Sequence, residues 1–381
     1  MNPTVLHLTE DHSRQNFGVT TVVDALIQQD LPELNQAVVS IGPEAIDVPP
    51  NVPIHILKSQ GLARIWRMGS GQSGTLHHLI NQANVIHLHG VWMWLQWAGA
   101  RYATSIGTPA ILSSHGMLEP WHWQNKTWPH RLKKILYWRL FASPAFRRLP
   151  IIHGITHQEA RTLKRYFPAQ RIEVIPNGID LPAIDHTLSS LPPASQSGKP
   201  YILFLSRLHP IKGIHLLINA FADLGQDKYK LVIAGPLDDR PGTYTTELRQ
   251  LVDQRGISDQ VEFLGIVQGA AKWQLYRDAW VFCLPSYSEG LAMVNLEAAA
   301  TGTPVITTPA SGLVDSWATE GGIFSQPTVE NLRACLAQAI AWSAEERQQH
   351  GLSLRSLVER TYTWSIITPS WHKLYLELSR H

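Results

Sequence analysis

The stretch Ser286-Tyr-Ser-Glu-Gly-Leu-Ala-Met-Val-Asn-Leu-Glu-Ala-Ala-Ala-Thr-Gly-Thr-Pro-Val-Ile-Thr308 decides the fold. The apolar run 280–285 before it reads as a buried parallel strand. Gly290 allows a tight turn, residues 293–300 are good helix formers, and Gly302 with Pro304 ends the helix. Val305 opens the next strand. Such a strand–loop–helix–strand unit belongs to a parallel α/β sheet, whose ligands sit beyond the carboxyl ends of the strands and against helix N-termini. Glu289 lies in the loop and Glu297 about a turn into the helix, so both carboxylates can face one ligand pocket. Taken alone, they could equally be a surface loop acid and a solvated helix acid.

Outward from this unit the same alternation recurs. Strands are expected at 5–9, 37–41, 54–57, 85–90, 109–116, 151–156 and 171–175, then at 201–205, 230–235 and 260–264. Helical patterns separate most of them, which argues for doubly wound parallel sheets whose strand order the sequence does not reveal. The Pro- and Ser-rich stretch 180–199 reads as a linker or surface loop. A helix is expected from about 328 to 343, and the tail 362–379 has aromatic and apolar positions spaced for another.

The 381 residues are enough for two domains, and a formal charge of +2 argues against a nucleic-acid binder as a whole. Cys283 and Cys335 sit in apolar patterns and read as core residues of a reduced, cytosolic protein. No Cys/His group has zinc spacing. The chain starts at once with a strand and has no run of 18 apolar residues, so neither a secretory signal nor a membrane-spanning helix is expected.

Four segments together give a family resemblance. Glu289 and Glu297 have the spacing of the Glu-x7-Glu signature of retaining glycosyltransferases of family 4, which have the GT-B fold. Residues 174–180, Val-Ile-Pro-Asn-Gly-Ile-Asp, resemble that family's interdomain segment. Residues 205–213, with Arg207, Lys212 and Gly213, resemble its Arg-x4-Lys-Gly phosphate segment. Residues 261–265, Val-Glu-Phe-Leu-Gly, resemble its strand end near the nucleotide base, which implicates Leu264. The resemblance implies two Rossmann-like domains facing a cleft. These are an acceptor-side domain at 1–178, completed by a crossover helix at 361–381, and a nucleotide-sugar domain at 179–360.

It also implies roles. A departing diphosphate needs fixed cations and N–H groups when no metal is present, and Arg207 and Lys212 suit that need. Loss of Lys212 is expected to affect transfer and leave folding nearly intact. Glu297 matches the glutamate that accepts hydrogen bonds from the ribose diol, and Glu289 the one near the donor sugar. Gly290 and Leu291 would offer backbone groups to the sugar, although Ala292 stands where the family often has glycine. His115, in Ser-His-Gly, matches a histidine beside the donor sugar. His89 ends an equivalent strand and reads as structural or functional alike. Gly18 lies either in a phosphate-facing loop or in an ordinary strand–helix turn, and Phe17 replaces the first glycine of the family's pair there. No Asp-x-Asp motif is present, so no metal or other cofactor is expected.

The expected function is retaining, metal-independent transfer from a nucleotide sugar to a glycan or lipid-linked acceptor in cell-surface polysaccharide or glycolipid synthesis. A UDP-sugar is the favoured donor. A sugar-nucleotide epimerase of the same fold and a catalytically silent GT-B binding protein are the alternatives. Between Gln124 and Arg171 stand eleven bases and a single acid, Glu159, interleaved with Trp, Tyr, Phe and Leu. In about 129–142 the apolar residues 132, 135, 136 and 140 fall near one helical face. Such a helix can lie in the headgroups of an anionic membrane. The protein is therefore expected to be cytoplasmic and peripheral on the inner face of the cell membrane, without a nucleic-acid partner.

Overall fold

A computed structural model describes residues 2–9, 19–41, 52–57, 73–121, 128–193 and 198–380. Gly18 and Lys126 lie outside the described residues. The chain divides into two compact units, Met1–Gly178 with Trp364–His381, and Ile179–Thr363.

The first unit is built on strands β1 (Thr4–Thr9), β2 (Asn35–Ile41), β3 (Ile54–Leu57), β4 (Val85–His89), β5 (Ala110–Ser113), β6 (Ile151–Gly154) and β7 (Arg171–Val174). They form a sheet in the order β3-β2-β1-β4-β5-β6-β7, and every pairing is parallel. The second unit carries β8 (Tyr201–Leu205), β9 (Lys230–Ala234), β10 (Val261–Gly265), β11 (Val281–Leu284), β12 (Val305–Thr307) and β13 (Ile323–Phe324), ordered β10-β9-β8-β11-β12-β13 and again parallel. These are two Rossmann-like sheets. In each, the order reverses between the first and fourth strands of the unit, β1 and β4 or β8 and β11. Such switch points open a crevice at the strands' carboxyl ends.

The two faces of the first sheet differ. Leu6, Leu8, Ile86, Leu88, Leu112 and Ile152 join one buried apolar cluster. On the other face Val5, Val85, Ile111 and Ile151 pack against Trp371, Leu374 and Tyr375 of the helix Trp364–Ser379. Further along that second face, toward the carboxyl ends, the strands present His7, His87, His89, Ser113 and His153, all buried. Strand register aligns them, with His7 beside His87, His89 beside Ser113, and Ser113 beside His153.

Two expectations need correction. The stretch 180–199 is not simply a linker, because Leu181–Ser190 is a helix. Asp180 caps it by accepting from the Ala183 N–H at 3.0 Å, a proline sits in the first turn, and Leu181 and Ile184 are buried. Beyond the helix Val329–Ile340 runs a further, longer one, Ala344–Thr361, opened by a capping box between Ser343 and Glu346. Its apolar pattern is broken by Gly351, where a Cβ would stand 1.9 Å from the Gly302 carbonyl oxygen. The helix can therefore pack this closely only with glycine there.

The chain passes between the units beside its own return path. Ile179 N–H donates to Tyr362 O at 2.7 Å, and Ile179 bridges to Thr363 in parallel. A Cβ on Gly178 would stand 2.4–2.8 Å from the Trp364 ring. Gly178→Ala should therefore destabilise the first unit by about 1–3 kcal/mol through overpacking, read as a lower urea midpoint. Gly107→Ala, which has open space but a φ of 77°, separates this clash from backbone strain.

Candidate functional site

In the second unit the charged residues gather where β8 and β11 end. Gly213 adopts a φ of 69°, and a Cβ there would stand 2.2 Å from Pro285 O, so the loop after β8 lies directly on the loop after β11. Tyr287 N–H donates to Ile211 O at 2.8 Å, which ties the loops together. This contact brings Lys212 Nζ to 2.6 Å from Glu289 Oε1, with each side chain only 11% exposed. Ser286 Oγ donates to the same oxygen at 2.6 Å. Glu289 N–H donates to Ala310 O at 2.9 Å and Ala292 N–H to Ser311 O at 3.0 Å. The N–H groups of Gly290 and Leu291 have no such partner among the described residues, and they precede the helix Met293–Ala300. An anion is favoured at such a helix start.

Glu297, a turn into that helix, is held at both oxygens. Lys272 Nζ lies 2.8 Å from Oε1, and Tyr276 OH donates to Oε2 at 3.0 Å. Lys272 and Tyr276 stand one turn apart on the helix Gly269–Asp278, and burial together with the Glu297 carboxylate pushes the Tyr276 phenol well up. Each carboxylate oxygen has a further lone pair for a ligand hydroxyl. Arg207, just past β8, is exposed and has no hydrogen bond or ion pair to a described residue. Leu264, at the end of β10, is 39% exposed. His215 hydrogen-bonds Tyr244 OH at 2.9 Å and Tyr287 OH at 3.2 Å, bracing the loop from the side.

The buried pair corrects one expectation. Removing Lys212 leaves the Glu289 carboxylate buried without its cation, which costs on the order of 3 kcal/mol or more. Lys212→Ala thus affects folding as well as chemistry, and Arg207 is the cleaner probe. Lys272, Tyr276 and Ser286 were missed in the sequence. The i, i+4 spacing of Lys272 and Tyr276 was visible, but not that their helix faces Glu297.

In the first unit His115 has a φ of 50°, uncommon for a residue other than glycine. Glu159 holds this turn from beneath. It is 2% exposed and accepts from Ser114 Oγ, from Gly116 N–H at 2.6 Å and from Ile155 N–H at 2.8 Å. Burial raises the Glu159 carboxyl, and burial beside Glu159 pushes Glu119 up to about 7. His115 Nε2 lies 3.1 Å from His89 Nδ1, and His89 Nε2 lies 3.0 Å from His7 Nδ1. A second chain runs from Tyr375 OH to His87 Nδ1 at 2.7 Å, from His87 Nε2 to Ser113 Oγ at 2.6 Å, and from Ser113 Oγ to His153 Nδ1 at 2.7 Å. It ends where His153 Nε2 donates to Ile175 O at 2.7 Å. His89 and His115 thus belong to a larger set with His7, His87 and His153. The period-two pair His87 and His89 signalled it in the sequence, but the partners on other strands did not.

Nitrogens of His7, His87 and His89 lie within 4.8 Å of one another, a spacing a transition metal could use. All six ring nitrogens are already engaged in the hydrogen bonds above and in one to Gln36. A neutral imidazole has one acceptor nitrogen, so no lone pair is left for an ion.

Residues 4–182 match the family described as Glycosyltransferase Family 4, and residues 190–351 match Glycosyl transferases group 1. A D-inositol 3-phosphate glycosyltransferase of Nocardia farcinica is 33% identical over 171 residues, 42% of this chain and 37% of that protein. An uncharacterized glycosyltransferase of Methanocaldococcus jannaschii is 37% identical over 156 residues, 39% of each chain. The chain thus spans about two fifths of the length of the curated relatives it matches. Among solved structures, sucrose-phosphate synthase from Thermosynechococcus elongatus superposes with a TM-score of 0.75 at 19% identity, covering 99% of both chains. HepE of Anabaena in complex with UDP-glucose gives 0.74 at 16% identity, covering 98% of this chain and 99% of that one.

The buried imidazoles set a pH dependence. Burial lowers His7 and His153 to about 4 and His115 to about 3, and His87 and His89 also fall well below the usual histidine range. In the unfolded chain each takes its proton near 6.5, so between about pH 4 and 6.5 the unfolded form binds more protons. Stability is therefore full above that window and declines as pH falls through it, by about 1.4 kcal/mol per pH unit for each such histidine. Urea unfolding of the protein at pH 7, 6 and 5 should show a falling midpoint. A flat profile would mean the imidazoles are not buried and neutral.

Proposed function

The chain belongs to the family 4 glycosyltransferases of GT-B fold, and from that premise we propose that it moves a sugar, with retention and without a metal, from a nucleotide-sugar donor to a glycan or lipid-linked acceptor. The observation that carries the proposal is the buried Lys212–Glu289 pair beside the open helix start at Gly290 and Leu291. Arg207 and Lys212 supply positive charge, and those N–H groups supply donors, where a departing diphosphate needs both. Glu289, already fixed by Lys212 and Ser286, keeps one oxygen for the donor sugar. Glu297, fixed by Lys272 and Tyr276, receives the ribose diol, and the exposed Leu264 lies against the base. His115 accepts a hydrogen bond from a sugar hydroxyl. UDP-glucose is the first donor to try, because the structurally similar HepE was crystallised with it. The departing phosphate takes the acceptor's proton on the same face of the sugar, which is how retention arises without a carboxylate nucleophile on the opposite face.

Arg207→Ala should slow transfer roughly a hundredfold, the scale of a lost charge-stabilising donor, with an unchanged urea midpoint. Transfer at the wild-type rate with saturating donor would remove Arg207 from the phosphate site. Glu297→Ala should weaken UDP binding in calorimetry, whereas Glu289→Gln should weaken transfer more than UDP binding.

The acceptor is proposed to be carried on a membrane. The helix Trp128–Tyr137 continues through a π-helical turn, Trp138–Ala142, into Ser143–Phe146. Trp138, Ala142 and Phe146 are buried, and Lys134 Nζ lies 4.3 Å over the Trp92 ring. Trp128, Leu132, Leu136, Leu140 and Phe141 remain exposed at 41–73%, flanked by exposed Arg131, Lys133 and Arg139. Apolar side chains with interleaved bases suit insertion among anionic headgroups. No helix among the described residues is long and apolar enough to cross a membrane. The protein should sediment with anionic vesicles and be released by high salt. Replacing Leu136 and Leu140 with serine should weaken binding at least tenfold. No recovery with either anionic or neutral vesicles would point to a soluble acceptor.

A further inference from the structure

Gln36 on β2 is oriented by the backbone around it. Its amide Nε2 donates to Ile27 O and to Gln29 O, each at 3.3 Å. Reversing the amide would set its oxygen against both carbonyls, so Oε1 is the atom that faces His7. His7 Nε2, 3.2 Å away, must then carry a proton. A neutral imidazole has one donor and one acceptor. His7 Nδ1 is therefore the acceptor, and His89 Nε2, 3.0 Å away, is its donor. The same reasoning makes His89 Nδ1 the acceptor for an N–H on His115 Nε2, at 3.1 Å. His115 Nδ1 is then bare, and it has no partner among the described residues.

We propose that Gln36, His7 and His89 are positioning residues that fix His115 in its Nε2–H tautomer and so present Nδ1 as a permanent hydrogen-bond acceptor for a hydroxyl of a sugar substrate. The identity of the ligand rests on the transferase reading above; the tautomer does not. An amide oxygen is too weak a base to take a proton from His7, so the chain stops at Gln36. His115 is therefore an orienting acceptor and not the outlet of a proton shuttle. The neighbouring chain of Tyr375, His87, Ser113 and His153 closes on Ile175 O with its own donors and acceptors matched, so it does not compete for these protons. Burial keeps all the rings uncharged, which the alternation of donor and acceptor requires.

The test is long-range proton–nitrogen correlation on the free, full-length protein labelled with nitrogen-15 at histidine, which separates protonated from bare ring nitrogens. His115 should carry its proton on Nε2. In Gln36→Leu, which removes the acceptor, His7, His89 and His115 should populate both tautomers. His153, closed on Ile175 O, should stay unchanged and reports an intact fold. With an identified donor, kcat/KM should fall about twofold in Gln36→Leu, the loss expected when half of the molecules hold the wrong tautomer. A proton on His115 Nδ1 in the wild-type protein, or unaltered tautomers in Gln36→Leu, overturns the proposal. If the tautomers behave as expected and no nucleotide sugar is turned over, the transferase reading fails and the assignment of the three positioning residues stands.

Discussion

A polar group buried between a sheet and a helix must find a partner inside the protein, because water cannot reach it. The first unit depends on meeting that demand. Five imidazoles and a serine hydroxyl stand at the carboxyl ends of adjacent strands, and Tyr375, Gln36 and Ile175 O close their hydrogen bonds. Each donor meets one acceptor, so the neutral rings order one another. The strained backbone at His115 survives because Glu159 accepts from the residues on both sides of it.

The second unit meets its own demand with charge. Lys212 and Glu289 lie too deep to be solvated singly, so they form a pair whose geometry is set by backbone contact between two loops. Gly213 is what permits that contact. Glu297 is treated in the same way by Lys272 and Tyr276. Both carboxylates are thus aimed before any ligand arrives, which limits the ordering that a ligand would otherwise have to impose.

Much of the fold was legible because parallel strands buried on both faces read as short apolar runs, and the glycines and prolines between them punctuate the chain. The site was legible where its residues are close in sequence, as with Glu289 and Glu297 or Arg207 and Lys212. Strand order was not, because it depends on which helices pack where. The partners Lys272 and Tyr276 were hidden for the same reason. The helix Ala344–Thr361 escaped because the contact of Gly351 with Gly302 forces a poor helix former into its middle. The helix Leu181–Ser190 escaped because it buries only Leu181 and Ile184 and starts with residues that also suit a turn.

The helix Trp364–Ser379 carries Tyr375 and Trp371 onto the histidine face of the sheet that begins at Thr4. On a ribosome these two pieces are separated by the whole of the second unit. A growing chain can pair its first strands early, but His87 keeps an unmet acceptor and the apolar ends of β1, β4, β5 and β6 stay uncovered until residues 364–379 emerge. The first unit is therefore completed only after the whole of its neighbour has been made and has had time to fold on its own. Synthesis that stops short of Trp364 leaves a first unit with an open, partly polar face, a ready substrate for chaperones and proteases.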